Sequence, residues 1–537
     1  MTDQTADHYD VLIVGAGAAG ACVAWSLGRR GLRVVCLEQG DWVSTDDMPK
    51  AHDDWQTRNR HDWQMSAAKR QGPDDYPVAN FGETPVDPYI YAKVGGSVTG
   101  WGGAFWRFNP SDFATRTMDD FGTDWPFGLE ELTPYYDLNE QMMGLSGFPG
   151  DPTAPPKTPA PMPPVDMGLM GDKWMEAFER LGWAWWVQEL AIATRPWKGR
   201  PACENRGFCT SGCPIGALAN PANTYWPEAL EAGVELITGA RVREVTVSAD
   251  GTRATGAIWY DRSGALRETR AGVVVVAANG IGTPRLLLMS TSAHHPEGLA
   301  NGSGQVGRNL MVHPQTAVIG RFPYRTEADH GPWGATATTR QFYETDPERG
   351  FKRGFIITAM RGMNPIDTAL QTAPWGAGHH AALEHHLNHE AVVWVCGDDA
   401  GEPHNRVELD EDNRDAWGLP GVKTRYSLSE NSRRLGEAAI ARATELCEAA
   451  GATSVRTPGM GQLLGWHLLG TARMGPDPAT SVVDPDCKAH EVDGLYLVDG
   501  SVMPAGGTVN PTNTVQAVAL RAADKIAVAL RLEGAQA

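Results

Sequence analysis

A chain of 537 residues and 57.9 kDa can bury a large core and is too long for one ordinary domain. Hydrophobic residues at 42% and charged residues at 21% give a globular balance. The net charge of −19 argues against a nucleic-acid or anionic-membrane partner, either of which would need a basic face. Apolar runs such as AGVVVVAA (271–278) are far too short to span a bilayer.

The opening MTDQTADHYD lacks a basic n-region, so a cytoplasmic protein is expected unless a signal-bearing partner exports it. DVLIV (10–14) predicts a strand, GAGAAG a tight turn, ACVAWSLGRRG a helix and LRVVCLEQG a second strand, a βαβ unit. Gly15, Gly17 and Gly20, with Ala18 and Ala19 between them, form a turn that lets a pyrophosphate approach the helix N-terminus. Glu38 closes the second strand, where an acid binds a ribose hydroxyl and disfavours a 2′-phosphate; the motif alone does not separate FAD from NAD.

Further along, PTAPPKTPAPMPP (152–164) carries seven prolines and predicts an extended connection. Residues 172–188 read as helical, with Trp174, Trp183, Trp185 and Trp186 suited to core packing more than to stacking on sugar rings. CENRGFCTSGCP (203–214) gathers Cys203, Cys209 and Cys213, whereas the other five cysteines are scattered. A disulfide does not suit a reducing compartment, and structural zinc lacks a fourth ligand. From GVELIT (233–238) to VVVVAA the pattern is a meander of strands with turns at ADG and RSG. GHHAALEHHLNHE (378–390) places His385 and His389 at helical i,i+4 spacing; solvated histidines are favoured there over a zinc site. LYLVDG predicts a buried strand and the run from Asn513 a long helix. The two ends read as one α/β layer interrupted by a second domain.

AKVGGSVTGWGGAFWR (92–107), DWPFGLEELTPYY (124–136), ANGIGTPRLLLMS (278–290), VGRNLMVHP (306–314), HLLGTARMG (467–475), GLYLVDGSVMP (494–504) and NPTNT (510–514) together resemble the glucose–methanol–choline family of FAD oxidoreductases. The match runs in order from residue 10 to about residue 530 and thins between 315 and 400. It implies a doubly wound, Rossmann-like FAD domain with an inserted α+β substrate domain. The FAD domain is expected over 1–60, 90–150, 200–315 and 461–537, and the substrate domain with its connections over 61–89, 151–199 and 316–460. Gly95, Gly96, Ser97, Gly100 and Trp101 match the loop around the flavin, Val242 the strand at the adenine, Asp499 and Gly500 the ribityl contact, and Asn510, Pro511 and Thr512 the segment beside the ring. The loop holds no histidine, so FAD is expected to bind non-covalently.

Alcohol oxidation needs a base for the hydroxyl proton while hydride moves to the flavin, and a neutral histidine suits that role. His467 matches the family's catalytic histidine and Asn510 its partner. The implied activity is dehydrogenation of a hydroxyl on a sugar, glycoside or polyol. An oxidase that forms hydrogen peroxide is the alternative, and a redox-silent FAD-containing lyase a remote one. In one branch of the family, catalytic subunits of bacterial sugar dehydrogenases, a loop like 203–214 holds a 3Fe–4S cluster; cluster and bare thiols both stay open here. The implied partners are the alcohol, an electron acceptor (cytochrome, quinone or O2) and a small subunit.

Overall fold

The computed structural model describes residues 8–207, 209–328, 330–332, 337–363, 365–371 and 374–536. Its first layer is a seven-stranded sheet. The strand His8–Val14 runs parallel to Val34–Glu38 on one side and to the inner half of Leu266–Val276 on the other. VLIV at its centre is fully interior, which is why these positions are apolar without alternation. Leu266–Val276 has two roles. Its outer half is antiparallel to Ala254–Tyr260, which in turn pairs with Arg241–Val247, and its inner half also pairs with Leu495–Leu497. The meander read from sequence begins one strand later than GVELIT: Glu235–Thr238 instead runs parallel along Val34–Glu38. Helices Ala18–Gly28, Leu129–Met143, Tyr225–Glu231 and Thr512–Gln536 pack together over this layer.

The second layer is a six-stranded sheet in the order Ser454–Arg456, Gln315–Arg321, Glu390–Gly397, Phe355–Ala359, Ala337–Thr339, Trp186–Val187, every pairing antiparallel. Helices Gly168–Leu181 and Glu430–Ala449 join its core. Trp174 is buried there and its indole N–H donates to the Met360 carbonyl at 2.9 Å. The helix stops at Gly182, in the left-handed conformation, so Trp183, Trp185 and Trp186 lie beyond it, contrary to the helical reading of 172–188. Likewise the helix His379–His386 ends before His389, so His385 and His389 do not share a helical face; His385 instead meets Arg321 at 3.0 Å. Residues 152–164 form no helix and no extended strand, and Lys157 pairs there with Glu189 at 2.6 Å. No helix among the described residues is long and apolar enough to cross a membrane.

Candidate active site

A cleft opens at the carboxyl ends of the parallel strands, where an α/β layer of this kind takes its ligand. Gly15, with φ +101°, turns so tightly that a Cβ would lie 2.6 Å from the Ala277 carbonyl oxygen. Gly20 does not line the cleft; a Cβ there would meet the Gly15 oxygen at 1.9 Å, so its role is to let helix close on strand. Gly17 is different. A Cβ at Gly17 would find its nearest neighbour, the Gly96 Cα, only at 3.8 Å. The space it would enter lies at the start of helix Ala18–Gly28, among unsatisfied N–H groups. This cradle fits a pyrophosphate. Ala18, Ala19, Gly96, Ser97, Val242, Asp499, Gly500, Pro511 and Thr512 share the same wall.

Glu38 also lines the cleft, and its carboxylate accepts N–H bonds from Ala16 at 2.8 Å and Gly40 at 2.9 Å. Burial pushes its carboxyl up to about 6. Each oxygen retains lone-pair capacity for a ribose hydroxyl. Asp499 accepts from the Asn279 N–H at 3.1 Å, the Ser501 N–H at 2.8 Å and the Thr283 hydroxyl at 2.5 Å. It thereby ties the turn after the parallel strand to the turn after Leu495–Leu497. Gly95, with φ +98°, donates its N–H to the Ala16 carbonyl at 2.9 Å and joins the two glycine loops without lining the cleft. The helix Thr512–Gln536 presents its first turn to the cleft through Thr512 and Val515. The donors, the cradle and the acid together fit FAD.

A second cavity of about 130 Å³ adjoins the cleft and shares Tyr89, Tyr91, Ser97, Val98, Trp466, His467 and Thr512 with it. Trp101 and Asn510 line this second space only. The imidazole of His467 is buried, and its Nε2 stands 3.2 Å from the Asn510 amide nitrogen. Burial, and then the neighbouring His313 ring, hold His467 well below the usual histidine range, so it rests neutral. The remaining walls are mainly Met65, Met360, Trp394 and Gln315. The Gln315 amide is engaged by the Leu464 carbonyl at 2.8 Å and the Trp394 indole at 3.2 Å. The Trp466 indole N–H has no partner among the described residues.

The cysteine loop packs directly behind this site. A Cβ on Gly100 would meet the Thr210 carbonyl oxygen at 2.9 Å, so flavin loop and cysteine loop touch backbone to backbone, with the Tyr91 ring closing the same spot. Cys203 Sγ accepts the Asn205 N–H at 3.4 Å. Lys50, Arg200 and Arg361 lie close enough to the three sulfurs to act on them electrostatically, while burial pushes the Cys203 thiol up. Among the described residues the three sulfurs do not form a group placed to hold a single metal ion; an iron–sulfur cluster holds its thiolates further apart than one ion does.

Several lining residues went unassigned at the level of sequence. Arg241 and Arg285 converge on the buried Asp415 at 3.2 and 2.9 Å, and Arg285 lies 4.3 Å over the Tyr76 ring. Their motifs gave no charge pattern distinct from ordinary surface arginines. His313 was contained in VGRNLMVHP but carried no expected role.

The family models described as GMC oxidoreductase match residues 163–315 and 401–519, and one described as FAD dependent oxidoreductase matches residues 10–46. The 2-methyl-1,2-propanediol dehydrogenase of Mycolicibacterium austroafricanum is 40% identical over 533 residues, covering 97% of this chain and 96% of that protein. The fructose dehydrogenase large subunit of Gluconobacter japonicus is 30% identical over 98% of this chain and 99% of its own length. Among solved structures, pyridoxine 4-oxidase from Mesorbium loti shares the fold with a TM-score of 0.68 at 17% identity, over 96% of this chain and 99% of that one.

Proposed function

Since the chain belongs to the GMC oxidoreductase family and is an FAD-dependent alcohol oxidoreductase, we propose that it dehydrogenates a hydroxyl of a small polyol to the carbonyl, with His467 as base. The observation that carries this reading is the His467–Asn510 pair opening onto a cavity of only about 130 Å³ beside the cleft. A cavity near 150 Å³ takes a molecule the size of benzene, so a short diol suits this space better than a hexose. Any part taken by the flavin ring reduces it further. The name of the 40% identical relative points to the same substrate class.

When bound, FAD supplies the acceptor for the hydride. It would be held non-covalently by Gly17, Glu38, Gly96, Val242, Asp499 and the start of helix Thr512–Gln536. The protein's own work is to orient the alcohol and take its proton. The Asn510 amide holds the hydroxyl oxygen, His467 Nε2 accepts the hydroxyl proton, and the aromatic walls exclude water. Cys203, Cys209 and Cys213 would hold a 3Fe–4S cluster, which would supply a one-electron carrier beside the flavin; what supports this is the spacing of the three thiols and the contact of their loop with the flavin loop.

The test is anaerobic flavin bleaching and dye-linked turnover with a panel of 1,2-diols, sugars and glycosides, with oxygen uptake followed in parallel. Diols should exceed hexoses at least 10-fold in kcat/KM, an order-of-magnitude expectation from pocket discrimination. A preference for hexoses would overturn the substrate, unimpaired bleaching by His467→Ala the mechanism, and rapid peroxide formation the dehydrogenase reading. Protein purified without oxygen that contains FAD but no iron would remove the cluster.

A further inference from the structure

Behind the catalytic imidazole lies a second one, and the backbone brings the two together. Met311 and Leu469 exchange both N–H bonds, at 3.0 and 3.1 Å, as an antiparallel pair. Counting two residues outward along each strand direction then sets His313 opposite His467. Their rings meet nearly perpendicular, with Nδ1 to Nδ1 at 2.7 Å, and His313 is fully buried. One of these two nitrogens must carry the proton and the other the lone pair.

The Asn510 amide nitrogen decides which. It faces His467 Nε2 as a donor, so Nε2 carries the lone pair and the proton of His467 is on Nδ1. His313 Nδ1 is then the acceptor, and its own proton lies on Nε2. That nitrogen is packed against the segment leading to Asn510: a Cβ on Gly506 would lie 2.8 Å from it. One side chain thus backs both members of the catalytic pair. Cys396 lies within 4.8 Å of both rings, but burial keeps its thiol protonated; Asp398 and the backbone of Gly506 and Gly507 also act on His313.

We propose that His313 is a positioning residue: by accepting the Nδ1–H of His467 it fixes the tautomer whose Nε2 lone pair faces the substrate hydroxyl. The inference rests on the reading of His467 as base. It adds that a neutral His467 is competent only when an acceptor stands behind it. Once the hydroxyl proton has arrived at Nε2, the same acceptor supports the imidazolium.

The experiment compares His313→Asn, which keeps an amide oxygen near the place of Nδ1, with His313→Leu, which has no acceptor. Both are assayed as FAD-loaded holoenzymes by anaerobic flavin reduction over a range of 1,2-propanediol concentrations. The limiting rate of His313→Leu should fall about 10–100-fold, as for loss of a supporting hydrogen bond to a site imidazole, with KM and FAD content unchanged. His313→Asn should recover most of that loss. If His313→Leu does not accumulate as holoenzyme, His313→Gln, with its amide displaced towards the Nε2 position, serves in its place with the same expected loss. Wild-type reduction by His313→Leu, or equal impairment of Leu and Asn variants, would overturn the proposal. His467→Ala run alongside separates the two readings: if it reduces flavin normally the base assignment falls, whereas slow His467→Ala with normal His313→Leu removes only the role of His313.

Discussion

Gly17→Ala separates the stability of the glycine turn from its use as a cradle. Gly17 has φ −78° and ψ −159°, an extended conformation open to alanine, and a Cβ there would meet nothing nearer than 3.8 Å. By the entropy of the unfolded chain, the substitution should stabilise the cofactor-free protein by about 0.4–1 kcal/mol. The same methyl occupies the space through which a pyrophosphate reaches the helix N–H groups. Losing one or two charge-assisted hydrogen bonds at about 1.5–3 kcal/mol each weakens FAD binding by roughly 10- to 10⁴-fold. Gly20→Ala is the contrast. Its Cβ would lie 1.9 Å from the Gly15 oxygen, so helix and strand must separate, at about 3 kcal/mol of stability. Thermal unfolding of deflavinated protein and a tryptophan-quenching titration with FAD measure the two effects independently. Gly17→Ala protein that binds FAD with wild-type affinity would refute the placement of the pyrophosphate over Gly17.

Other outcomes follow from the same geometry. Because His467 is held well below its ordinary range by burial and His313, kcat/KM should stay level down through pH 6.5, with its acid limb lower still; a limb at 6.5 would contradict a buried neutral base. Both His313 and His467 have lowered values, so the unfolded chain binds more protons than the native one just below pH 6.5. Stability should therefore be lost as pH falls through that region, by at most about 1.4 kcal/mol per pH unit for each ring, as denaturant titrations at successive pH values will show. Arg353, fully buried against Asp112, Asp119 and Asp398, should cost about 3–5 kcal/mol of unfolding free energy when replaced by leucine, because two buried carboxylates lose their counter-ion.

The parts of the site legible in the sequence are those that local physics confines to one short segment. The turn at Gly15–Gly20 needs glycine for backbone reasons that hold within six residues, and the acid of Glu38 follows at the end of the next strand. The strand VLIV is apolar on both faces because both are covered, again a local signal. Where assignments drifted, a single residue decided the outcome out of sight of periodicity. Gly182 stops the tryptophan helix, and Asn388, with φ +59°, turns the chain away before His389. Glu235–Thr238 has no intrinsic reason to prefer a parallel partner; its place at the sheet edge is set by the helix Tyr225–Glu231 packing on Ala18–Gly28.

The pairing of His313 with His467 belongs to a third kind. Neither histidine differs in its local sequence from a satisfied core residue, and 154 positions separate them. What joins them is a bridge at Met311 and Leu469 whose register is fixed by close packing on either side. A Cβ on Gly470 would strike the Asn309 carbonyl oxygen at 2.4 Å, and one on Gly280 or Gly500 the Leu468 oxygen at 2.1 or 2.8 Å. A slip of one residue would turn His467 to the opposite face and replace it with Trp466 or Leu468. The glycines around the motif HLLGTARMG therefore act on catalysis without touching substrate: they allow backbones to approach closely enough that only one register, the one that sets imidazole against imidazole, can form.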